Sequence, residues 1–88
     1  EEGALYIGCA GGLNTLLRKK INWQKPEPAA KTFLLKVGGL HGGHSGLNIN
    51  DGLGNAIVLN ARVLFELAQK VNFALASFDA GSKHNAIP

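Results

Sequence analysis

Between Lys36 and Asn55 the chain reads Lys-Val-Gly-Gly-Leu-His-Gly-Gly-His-Ser-Gly-Leu-Asn-Ile-Asn-Asp-Gly-Leu-Gly-Asn, and no other stretch limits the fold as strongly. The glycines at 38, 39, 42, 43 and 46 let the backbone take positive φ and approach a partner closely. They do so at an entropic cost that a plain connection has no need to carry. The segment therefore reads as a functional loop, set between a strand-like run and a helix.

The helix is the firmest element. Asn50 or Asp51 is its expected N-cap, and apolar residues then recur at Leu53, Ile57, Ala61, Leu64, Ala68 and Val71 with the three-and-four spacing of one helical face. About twenty residues give a rod of roughly 30 Å. Asn55, Arg62, Glu66, Gln69 and Lys70 form its polar sector, yet Leu59 falls inside that sector and Val63 at its margin. These two are either ordinary surface apolars or a place where a partner sits.

Around loop and helix the pattern is strand-like. Ala4 to Cys9 alternates and is ended by Gly11-Gly12. Leu13 to Trp23 fits helical and period-two spacing alike, and the run Leu17, Lys19, Ile21, Trp23 favours a strand. Pro26 and Pro28 force a turn between Lys25 and Ala30, from which Lys31 to Val37 returns as a hairpin. Asn72 to Phe78 is a further strand, turned by residues 79–82 into Lys83-His84-Asn85-Ala86-Ile87-Pro88. Together these predict an α+β architecture, an antiparallel sheet with one long helix on a face, forming the front half of a two-layer domain.

A chain of 88 residues buries only roughly 60 to 65% of its unfolded surface, so stability alone is marginal. Glu1 leading straight into a strand-like run, and the stop at Ile87-Pro88, read as a piece of a longer protein. Cys9 is the sole cysteine, which excludes an internal disulfide and fits a reducing compartment; the cytoplasm is the expected location. No export leader or long apolar run is present, so no membrane partner is expected. The net charge is +3, but the one basic cluster, Arg18-Lys19-Lys20, alternates faces on a strand and has no interleaved aromatics. It blunts a solvated edge and does not bind nucleic acid.

The chemistry narrows to the loop. His41 and His44, even with Cys9 and His84, lack the tight ligand spacing of a structural zinc site. The Gly-Lys-Ser/Thr ending of a phosphate loop is missing. His44-Ser45 suggests a nucleophile and base, but neighbours in sequence rarely bring both side chains into mutual reach, and no orienting acid is evident. What the loop offers is one imidazole on a glycine mount beside a helix N-terminus, suited to hydrogen bonding a substrate oxygen in a site completed by other parts. The plain alternative is a histidine that bonds only the loop's own backbone.

Gly42-Gly43-His44-Ser45-Gly46, then Gly52-Leu53-Gly54-Asn55-Ala56, then Asn85-Ala86-Ile87-Pro88 closely resemble the aminoacylhistidine dipeptidases (Xaa-His dipeptidase, peptidase D). Glu1-Glu2-Gly3 and Gly8-Cys9-Ala10-Gly11-Gly12 resemble the segment just before. These enzymes belong to the dinuclear zinc exopeptidases that include carboxypeptidase G and aminoacylase. The resemblance implies a catalytic domain holding two zinc ions and a smaller α+β lid that also serves dimerisation. Residues 1–12 then correspond to the end of a catalytic-domain strand and linker, and residues 13–88 to part of the lid. By the same likeness His44 stabilises the scissile carbonyl as it becomes an oxyanion, Asn85 helps hold the dipeptide, and Gly42, Gly43 and Gly46 shape the loop. The zinc ligands fall outside this stretch; Glu1 and Glu2 are not among them, and the fragment binds no metal and is inactive alone. His41, His84 and Leu47-Asn48-Ile49 receive no role. The competing reading is a noncatalytic α+β module for subunit association or regulation.

Overall fold

The computed structural model describes residues 2–9 and 11–88. Glu1 and Ala10, with what the resemblance says of them, lie outside the described residues. Three elements follow in order, β1 (Gly43–His44), α1 (Ala56–Ala68) and β2 (Ala86–Ile87). β1 and β2 are antiparallel, with Gly43 opposite Ile87 and His44 opposite Ala86. One helix and a two-stranded antiparallel sheet make this a small α+β fragment.

α1 begins later than the sequence suggests. Residues 45–52 form consecutive turns, and Gly52 takes φ +68°, a left-handed conformation that breaks a helix. The cap is therefore Asn55 and not Asn50 or Asp51. Asn55 is extended (φ −104°, ψ 112°) and its Oδ1 accepts from Val58 N at 3.0 Å, satisfying a first-turn amide that has no intrahelical partner. At the other end, Lys70 N and Val71 N both donate to Leu67 O at 2.9 Å. Convergence on one carbonyl tightens and ends the helix, with no basic side chain in its last turn to favour extension. α1 has 13 residues, so it spans about 20 Å and not 30 Å.

The knot joining these elements is backbone chemistry. Pro88 O accepts from Ala56 N at 2.8 Å, so the segment that pairs with the glycine loop also caps the helix. Half-buried residues gather here, among them Leu53, Ile57, Leu59, Leu64, Ala86 and Ile87. Leu40 and Leu59 both flank Gly54: a Cβ there would stand 3.4 Å from Leu40 Cδ1 and 3.8 Å from Leu59 Cδ1, ordinary contact distances. Leu59 is thus turned inward, contrary to the wheel, while Val63 is 45% and Phe65 66% exposed.

The other expected strands, at Ala4–Cys9, Leu13–Trp23, Lys31–Val37 and Asn72–Phe78, take part in no ladder among the described residues. Their alternation says which face wants burial, but a strand needs a partner's hydrogen bonds and a covering layer. Neither is supplied: Ile7 is 93% and Leu34 91% exposed. Only the proline turn forms as expected, with Ala30 N donating to Glu27 O at 2.9 Å across Pro28.

Among the described residues none is buried. The radius of gyration is 18.7 Å, against about 12 Å for a compact domain of this length. The accessible surface is 8988 Å², between the roughly 5,000 Å² of a folded and 13,500 Å² of an unfolded chain of this mass. About a third of the surface is removed from water, half of what the length alone allows. Backbone ordering costs about 1 to 2 kcal/mol per residue, so burial within this chain cannot hold the whole arrangement together.

Candidate functional site

The site is built from the loop upward. Gly42 takes φ +70° and turns the chain into β1. Gly43 has no room for a side chain, since a Cβ would meet Leu53 Cδ1 at 2.6 Å and Asn48 Cβ at 3.1 Å. Gly46 is crossed by the His44 ring, whose Cε1 and Nδ1 would each lie 3.3 Å from an added Cβ. These are the three loop-shaping glycines read from the sequence, and two of the three are needed for close approach.

The His44 side chain folds back over its own loop. Nδ1 accepts from Gly46 N at 3.0 Å and from Leu47 N at 3.1 Å. A nitrogen that accepts two N–H groups carries no proton, so the neutral ring is protonated at Nε2. Nε2 has no partner among the described residues, and His44 is exposed. One half of the imidazole thus serves the loop, as the plain alternative expects, and the other half is a donor open to a ligand.

The ladder brings Ala86 opposite His44 and places Asn85 one rung further on. Ser45 N donates to Asn85 O at 3.1 Å, one step from the His44 and Ala86 pair. The two residues singled out for substrate contact therefore lie on adjoining rungs, His44 opposite Ala86 and Asn85 bonded to Ser45, although far apart in sequence. The Asn85 side chain makes no hydrogen bond among the described residues. Ser45 does not pair with His44, because Nδ1 is already taken by amides.

His41 and His84 are exposed and join no cluster. Among the described residues no three His, Cys, Asp or Glu side chains come together to hold a metal. The described residues thus offer no donor set for a zinc ion. Two shallow depressions, at Ala68 to Phe73 and on the α1 face bearing Val58, Arg62 and Phe65, contain neither His44 nor Asn85. No helix among the described residues is long and apolar enough to cross a membrane.

Sequence reasoning passed over Asn48. Its Oδ1 accepts from His44 N at 2.8 Å and its Nδ2 donates to Asp51 Oδ2 at 2.8 Å, while its own N donates to His44 O at 3.0 Å. The signal was available as Asn four residues after His44 and Asp three further on, both types that bond nearby backbone in turns.

No protein-family model matches the chain, and no solved structure matches it. Over all 88 residues it is 41% identical to the cytosol non-specific dipeptidase of Escherichia coli (strain K12). It spans 18% of that protein's length. From end to end, the chain is homologous to a segment of a dipeptidase.

Proposed function

We propose that this chain is part of a metal-dependent cytosolic dipeptidase, in which residues 13–88 belong to a lid over a catalytic domain holding two zinc ions. Within it the His44 Nε2–H is the donor to the scissile carbonyl oxygen and Asn85 helps hold the dipeptide. The observation that carries this reading is the His44 ring, held at Nδ1 by two loop amides with Nε2–H open, on a ladder whose next rung holds Asn85. The full-length identity to a dipeptidase segment supports the class of reaction. In this reading the segment is inert by itself, its surface is completed by the remainder of the parent, and the parent associates as a homodimer through it. Substrates with C-terminal histidine are part of the proposal, and the relative's name, non-specific, gives reason to test a wider set.

The test uses the full-length parent against dipeptides with C-terminal histidine, leucine and glycine, with and without a chelator. Release of amino acids, lost on chelation and restored by zinc, is expected. Equal rates across the panel would remove the histidine preference, and no hydrolysis of any dipeptide would favour the noncatalytic module.

A further inference from the structure

We infer that Asn48 is a positioning residue, whose side chain, with the amides of Gly46 and Leu47, holds His44 as the Nε2–H tautomer facing out of the loop. The inference rests on the reading of His44 as a substrate-facing donor, and goes beyond it by saying what makes the donor available.

A neutral histidine has two tautomers of similar energy, and the wrong one would present a lone pair to a carbonyl oxygen. The loop selects between them by offering Nδ1 two N–H groups at 3.0 and 3.1 Å. Those amides point inward only while residues 44–48 keep their turn, and Asn48 closes that turn from both sides. His44 N donates to its Oδ1, and its own N donates to His44 O, a reciprocal pair that fixes the His44 backbone. The bond from Nδ2 to Asp51 Oδ2 then determines which way the Asn48 amide faces, leaving Oδ1 for His44. Asn48 is half-buried under Gly43, at the spot where a Cβ on that glycine would strike it. An aspartate at 48 keeps an acceptor for His44 N but loses the donor to Asp51 and sets two carboxylates together.

The full-length parent is labelled with 15N-histidine, and the His44 ring signals are assigned by their loss in His44→Ala. Unmodified protein is expected to show Nδ1 as the unprotonated and Nε2 as the protonated nitrogen. Asn48→Ala and Asn48→Asp are expected to mix the tautomers and to lower kcat about tenfold or more, as misplacement of a reacting group does, with KM nearly unchanged. Asn48→Asp combined with Asp51→Asn restores a donor facing the new carboxylate, and is expected to recover both the tautomer and most of kcat. A protonated Nδ1 in the unmodified protein overturns the inference. So does an unchanged tautomer in Asn48→Asp, or a double variant no better than the single. If the parent hydrolyses no dipeptide, the functional reading fails by itself, and the nitrogen signals still decide whether Asn48 sets the tautomer.

Discussion

Gly46→Ala probes the placement of the His44 ring by steric means alone. Gly46 is not in the left-handed region, so alanine meets no backbone strain there. Its Cβ would stand 3.3 Å from both Nδ1 and Cε1 of His44, tighter than ordinary contact, and the ring must give by a few tenths of an ångström. Movement away from residue 46 stretches the bonds at 3.0 and 3.1 Å past the usual limit of about 3.2 Å. A 1 Å misplacement costs about 100-fold in rate, so a shift of about 0.3 Å corresponds to roughly fourfold. The assay is steady-state hydrolysis by the full-length parent, with thermal unfolding measured on the same samples. Expected is a kcat about fourfold lower in Gly46→Ala and lower again in Gly46→Val, with KM little changed and stability within about 1 kcal/mol for alanine. Unchanged kcat in both variants would refute the reasoning, as would a loss accounted for by unfolded protein.

Three further outcomes are expected. Asn55→Ala removes the bond to Val58 N and should cost about 1 kcal/mol of parent stability in urea unfolding; no change would mean the helix starts elsewhere. The isolated 88-residue chain should show little helix by circular dichroism and no cooperative melt, since the one helix among the described residues has 13 residues and such lengths are marginal in water. A sharp two-state transition would contradict this. Val58→Lys with Phe65→Lys, on the exposed side of α1, should turn a dimeric parent into a folded monomer in sedimentation, and a persisting dimer would place the subunit contact elsewhere.

What could be read from the sequence divides along a physical line. The helix, the proline turn and the glycine loop are set by local chemistry: spacing, fixed φ and missing Cβ atoms. These appear in the structure, with boundaries shifted where Asn55 outcompetes Asn50 and Asp51 as a cap. The expected strands depend on partners distant in sequence. Period-two alternation at Leu5, Ile7, Phe33 and Leu35 marks a face for burial and supplies no neighbour to bury it. The pairing of His44 with Ala86 and of Ser45 with Asn85 is also nonlocal, and no periodicity in the sequence marks it. Leu59 was misjudged because a wheel takes no account of the loop that lies against the start of the helix, where Leu40 and Leu59 flank Gly54. Asn48 was overlooked because its work is done by side-chain bonds to backbone within a turn, which no hydrophobic pattern registers.

The central claim is that His44 acts on the oxygen of the scissile carbonyl, and turnover by His44→Ala in the full-length parent, with metal content measured on the same preparation, tests it most directly. Loss of one oxyanion donor typically lowers turnover about 100- to 1000-fold, or roughly 3 to 4 kcal/mol. The account expects that loss in kcat with full metal content and an unchanged fold. Near-normal kcat with only a raised KM would make His44 a ground-state binding residue and contradict it.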